Sequence, residues 1–157
     1  MRTILNTVIL ALAITTVAAF GADNTIGTWK LNVAKSKYTP APFPLKSLTT
    51  VREASSGGVK VTNTGERSDG TMINATYTTK YDGTDASVTG TGSPYDTISI
   101  KQVNANTLTD ERKKTGGPYK ATGRTVVSNG GKTMTTTVKG TNADSKQFTQ
   151  VYVFDKQ

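Results

Sequence analysis

Cysteine and histidine are absent from all 157 residues, and tryptophan occurs once, at Trp29. Without cysteine there is no disulfide framework, so burial and a hydrogen-bonded sheet must hold the fold. Without histidine or cysteine the chain also lacks the commonest general base, the thiol nucleophile, His-ligated haem and nearly every kind of zinc site. No cofactor and no enzymatic role are expected. Acidic residues are scarce as well, eleven against nineteen Lys and Arg, for a net charge of +8. Such a balance favours anionic partners and solubility but says nothing about fold.

Long apolar runs are missing, with one exception at the N-terminus. Arg2 precedes "ILNTVILALAITTVAAF", and small residues follow at Ala18, Ala19, Gly21 and Ala22. A short positive flank, an apolar stretch and a small-residue exit describe an export signal. Residues 1–22 are therefore read as a signal peptide cut after Ala19, Gly21 or Ala22, and the protein as exported, either periplasmic or secreted. Losing Arg2 leaves a charge of +7. Residues 23–157 form one domain of ordinary size with no membrane span after cleavage.

A sustained apolar period of 3.6 is the remaining absence. In its place stand thirty threonines, which suit a pleated, half-exposed surface and lower helix propensity. Period-two alternation recurs between closely spaced turn signals. It predicts strands near 27–32, 45–54, 59–66, 72–82, 87–91, 97–103, 107–114, 119–128, 132–140 and 148–155. Within 72–82, Ile73, Ala75, Tyr77 and Tyr81 share a face. Asp82-Gly83 reads as a hairpin turn, because both residues tolerate positive φ. The chain is thus all-β, a single antiparallel meander that closes into a barrel or folds as a sandwich. Asn63, Thr79, Thr136 and Gln150 fall on inward faces, where a solid sandwich core would leave each desolvated. A barrel of about 8–10 strands with a hydrated or ligand-filled interior accommodates them.

"GTWKLN" at 27–32 resembles the opening strand of the calycins, the lipocalin and fatty-acid-binding-protein group of β-barrels. "GRTVVSNGGKTMTTTVKGT…FTQVYVFDK" is similar to the last three strands of a fatty-acid-binding protein. The strand pattern from Gly27 to Lys156 also resembles small exported bacterial proteins described as lipocalin-like. The resemblance implies a calycin-like barrel, with Trp29 as a structural plug at one end, packed against a basic side chain. It also implies that the final strand holds a ligand. In fatty-acid-binding proteins that strand carries Arg-x-Tyr, which grips a carboxylate. The matching triplet here is Gln150-Val151-Tyr152, so the tyrosine is kept and the cation is replaced by an amide. The family's second cation would fall near Arg124, read either as a ligand contact or as a solvated or Trp-stacking side chain. Tyr77, Tyr81, Phe148 and Phe154 either line the cavity or pack the core.

The segment "VAKSKYTPAPFPLK" replaces the family's helical lid. Prolines at 40, 42 and 44 disfavour helix, so an extended loop or a single short turn is expected. Tyr38 and Phe43 there either fold over the barrel mouth or pack outside it. "RKK" at 112–114, with Lys120 and Arg124 nearby, reads as a basic patch or as a solvated protective edge. It lacks the aromatic platform of a nucleic-acid site, so no nucleic-acid partner is expected. Asp110 and Glu111 are strand neighbours and point to opposite faces.

Two functions follow. One is a monomeric binding protein holding a small apolar or amphipathic molecule in the barrel, oriented by Tyr152, Gln150 and Arg124. The other is an envelope or extracellular interaction protein whose basic outer surface meets an anionic polymer.

Overall fold

The structure is a computed structural model that describes residues 23–157. The leader read as an export signal lies outside the described residues. Strands run in chain order as β1 (Gly27–Leu31), β2 (Lys37–Thr39), β3 (Leu45–Ser55), β4 (Gly58–Arg67), β5 (Met72–Thr79) and β6 (Asp82–Ser87). They continue as β7 (Thr89–Thr91), β8 (Thr97–Asn104), β9 (Thr107–Lys113), β10 (Lys120–Ser128), β11 (Thr133–Thr141) and β12 (Gln147–Lys156). All pair antiparallel in one sheet, ordered β6-β8-β9-β10-β11-β12-β1-β3-β4-β5-β7, with β2 added beside β12.

Two pairings close this sheet into a nearly complete barrel. β12 returns to the first strand, matching Trp29 with Lys156 and Leu31 with Phe154. At the opposite seam β6 and β7 are separated only by Val88. β6 pairs with β8 (Ala86 with Ile98), while β7 pairs with β5 (Gly90 with Ala75). One stretch of chain thus leaves one edge and joins the other. Gly90 makes the crossing possible, with φ of +102° and no room for a Cβ against the Asn74 carbonyl.

Alternation decides which side chains face in. On β10, Ala121, Gly123, Thr125 and Val127 are buried, while Lys120, Thr122 and Arg124 are exposed. On β9, Leu108 and Asp110 are buried and Glu111 is exposed. The expected inward positions hold: Thr79, Thr136 and Gln150 are buried, and Asn63 faces the interior cavity.

Three details differ from the sequence expectation. Asp82-Gly83 does not make a hairpin. The chain turns at Lys80 and Tyr81, where Tyr81 has φ of 60°, and Asp82 opens β6. The Asp82 carboxylate instead accepts from the Thr84 amide at 2.9 Å and its hydroxyl at 2.6 Å, beside a register shift. Its turn chemistry builds a bulge. Residues 87–91, read as one strand, divide between β6 and β7. The proline-rich segment holds both a single 3-10 turn at Val33–Lys35 and the three-residue β2, too short to show a period.

The end of the barrel at β1 is shut by its own N-terminal segment. Trp29 is fully buried, and its Nε1 donates to the Thr25 carbonyl at 2.7 Å. Asn24 ties this segment across to the β8–β9 turn, from its amide to Ala105 at 2.9 Å and from its side chain to Asn106 at 2.7 Å. Lys156 Nζ sits 5.1 Å from the Trp29 ring centre.

Candidate functional site: the barrel cavity

A cavity of about 300 Å3 fills the barrel above this plug. It opens at the far end, where Gly92–Tyr95 and Asn142–Asp144 form the rim. Leu108, Ile100, Ile98, Met134 and Phe154 supply much of its apolar wall.

The inward face of β12 lies where period two places it. Phe148, Gln150, Tyr152 and Phe154 all line the cavity, as does Tyr77 from β5. Tyr81 does not. It is buried behind the wall, with its hydroxyl 3.1 Å from an Arg52 terminal nitrogen that donates to it and 3.2 Å from the Thr25 hydroxyl. Arg124 is corrected more strongly. It is exposed on the outer face of β10, because the small residues at 121, 123 and 125 take the inward positions.

The mouth is aromatic. Tyr38 stacks on Phe148 at 5.8 Å between ring centres, Phe148 meets Tyr119 at 5.9 Å, and Tyr119 stacks on Tyr95 at 5.9 Å. Phe43 meets Tyr152 edge-on at 6.1 Å, and Tyr152 continues to Phe154 at 6.0 Å. Tyr38 therefore lines the cavity, and Phe43 packs on the ring of Tyr152 against the core. Burial pushes the Tyr95, Tyr119 and Tyr152 phenols above their ordinary range, against a pull downward from Arg112. All three stay neutral donors near neutral pH.

Charged groups missed by the sequence reading also line this space. Arg112 turns inward from β9, and its Nε donates to Asp110 at 2.5 Å. Its guanidinium lies 5.4 Å from the Tyr95 ring centre. Burial lowers its pKa, but the Asp110 carboxylate outweighs this and holds the group charged. Arg67 at the mouth donates from Nε and a terminal nitrogen to the Gly92 carbonyl, at 3.2 and 2.7 Å. Arg52 lies deep, 6% exposed. The signal that finds Arg52 and Arg112 is alternation: Leu48, Thr50 and Arg52 share one face, as do Leu108, Asp110 and Arg112.

The same turn inward breaks up the expected basic patch. Arg112 leaves the surface, Lys113 pairs with Asp85 at 2.6 Å, and Lys114 pairs with Asp96 at 3.2 Å. Lys120 and Arg124 remain exposed.

No protein-family profile matches the chain, and no curated protein matches it in sequence. Among solved structures it is similar to lipocalin 12 from rat epididymis, with a TM-score of 0.43 and 12% identity, over 87% of this chain and 69% of that one. At that level the likeness carries no weight, and the antiparallel barrel stands on its own strand register.

Proposed function

We propose that this chain is an exported, lipocalin-like binding protein that holds a small apolar or amphipathic molecule inside its barrel. The supporting observation is the cavity itself: about 300 Å3, walled by aliphatic and aromatic side chains, some of them packed on the buried Trp29, and lined as well by polar and charged groups that can orient a ligand. Those features are the ordinary make-up of a small-molecule site. Tyr152 and Gln150 are the β12 residues placed to orient a polar end, and Arg124 drops out of that role. The N-terminal leader supports export. The anionic-polymer reading draws little from a surface whose Lys113 and Lys114 are each matched by a carboxylate.

The test is a fluorescence titration of the purified protein with the uncharged dye N-phenyl-1-naphthylamine at low and high salt. A cavity binder gives saturable one-to-one binding that salt does not weaken. No saturable binding at either salt concentration overturns the reading.

A further inference from the structure

Among the arginines that line the cavity, Arg52 is set apart by its partners. Arg112 has the Asp110 carboxylate, and Arg67 has the Gly92 carbonyl. Arg52 has only neutral hydroxyls, Tyr81 at 3.1 Å and Thr25 at 3.4 Å on one terminal nitrogen, with the Tyr77 phenol also interacting with the guanidinium. Its Nε is buried without any partner. Among the described residues no carboxylate lies within 4.0 Å of it. Asp23 stands one hydroxyl away, accepting from Thr25 Oγ1 at 2.6 Å, and its carboxylate favours the charged guanidinium through space without bonding it. A guanidinium does not shed its proton, and a buried donor left without an acceptor is costly. The orphaned Nε of Arg52 gains its missing acceptor when an oxyanion arrives in the cavity from outside.

The neighbours of Arg52 suit such an arrival. Arg52 pairs with Val61 and Thr50 with Asn63 across β3 and β4, so Asn63 sits diagonally beside it on the inner face. Thr50 Oγ1 donates to Asn63 Oδ1 at 2.8 Å, which leaves the Asn63 amide hydrogens free for another acceptor. Tyr77, opposite Val61 on β5, brings a phenol to the same wall. A guanidinium, an amide and a phenol can all donate, and donors grouped on one wall of the cavity suit an oxyanion.

We propose that Arg52 is the seat of an anionic head group, a carboxylate or another small oxyanion, on a molecule that enters the barrel head first. The proposal rests on the cavity-binding reading above and specifies the chemistry and orientation of its ligand. The head lies at the closed end against Arg52, Asn63 and Tyr77. The apolar body then runs between Leu108 and Met134, and its tail reaches the rings of Tyr119 and Phe148.

The test compares two dyes that differ by one sulfonate: 8-anilinonaphthalene-1-sulfonate and the uncharged N-phenyl-1-naphthylamine. Arg52→Gln should weaken the sulfonate dye about tenfold or more, the scale of a lost charge-assisted hydrogen bond, and leave the uncharged dye within about twofold. Arg124→Gln, on the outer face, should change neither. Equal weakening of both dyes, or of neither, by Arg52→Gln overturns the anion seat while leaving cavity binding intact. Failure of both dyes to bind the wild type overturns the cavity reading and the seat together. A readout on the wild type covers a variant that does not fold. The Arg52 Nε–H resonance, assigned through the backbone, should move on adding the sulfonate dye and not the uncharged one. A resonance unmoved by the saturating sulfonate dye overturns the proposal.

Discussion

The Asp110 carboxylate occupies the space that a side chain at Gly123 would fill. The two residues face each other across β9 and β10, and any Cβ at 123 would collide with the carboxylate oxygens. That gap admits an ion pair to the barrel wall: Asp110 holds Arg112, two residues along the same face, and Arg112 lies over Tyr95 at the mouth. Gly123→Ala must therefore displace the pair, and is expected to destabilise the fold by about 1–3 kcal/mol. Urea unfolding measures this, and an unchanged midpoint would show that the carboxylate moves aside freely.

Trp29 acts as a plug through both its bulk and its one polar atom. Trp29→Ala is expected to lose about 3–5 kcal/mol. Trp29→Phe keeps most of the ring but leaves the Thr25 carbonyl without its donor, and should lose about 1 kcal/mol from that bond alone, before any packing loss. Thermal unfolding separates the two, and similar midpoints for Ala and wild type would contradict the plug.

Asp96 fastens two rim loops together. Its carboxylate accepts from the Thr115 amide at 3.0 Å and pairs with Lys114, between the loop carrying Tyr95 and the turn before Tyr119. The Thr115 amide, aided by Lys114, holds its pKa down to about 2, against an ordinary 3.8. A depressed carboxylate stabilises the fold above its unfolded pKa, and that contribution disappears as pH falls from about 4 towards 2. The gap in urea midpoint between wild type and Asp96→Asn should therefore narrow across this window. A gap that stays constant would contradict the assignment.

Gln150 has a buried amide nitrogen with no partner, on a residue 6% exposed. A buried polar group left unpaired typically costs about 1–3 kcal/mol. Gln150→Met, of similar length and apolar, is expected to raise the unfolding midpoint of the empty protein. A lower midpoint would mean that the amide is satisfied in solution.

Strand class, the order of turns and the inward face of β12 were legible because period two is local and survives without tertiary information. The seam was not, since whether 87–91 is one strand or is divided between two depends on which edges lie nearby. Arg112 was hidden by reading "RKK" as a block of charge, although adjacent strand residues face opposite ways. Arg124 was misplaced by its likeness to a family cation, when Ala121 and Gly123 already marked the inward positions. The rim tyrosines at 38, 95 and 119 come from the short β2 and from loops, and only the closed barrel brings their rings together.

The central claim is that small molecules bind inside the barrel, and filling the cavity tests it most directly. Ala75 is buried, lines the cavity and lies between Asn63 and Gly90 on the neighbouring strands. Ala75→Leu should weaken N-phenyl-1-naphthylamine by about tenfold or more while the protein stays folded, because the added side chain takes ligand space. Thr122→Leu, on the exposed face of β10, should leave the titration unchanged. Undiminished dye binding by a folded Ala75→Leu variant would place the dye outside the barrel and contradict the account.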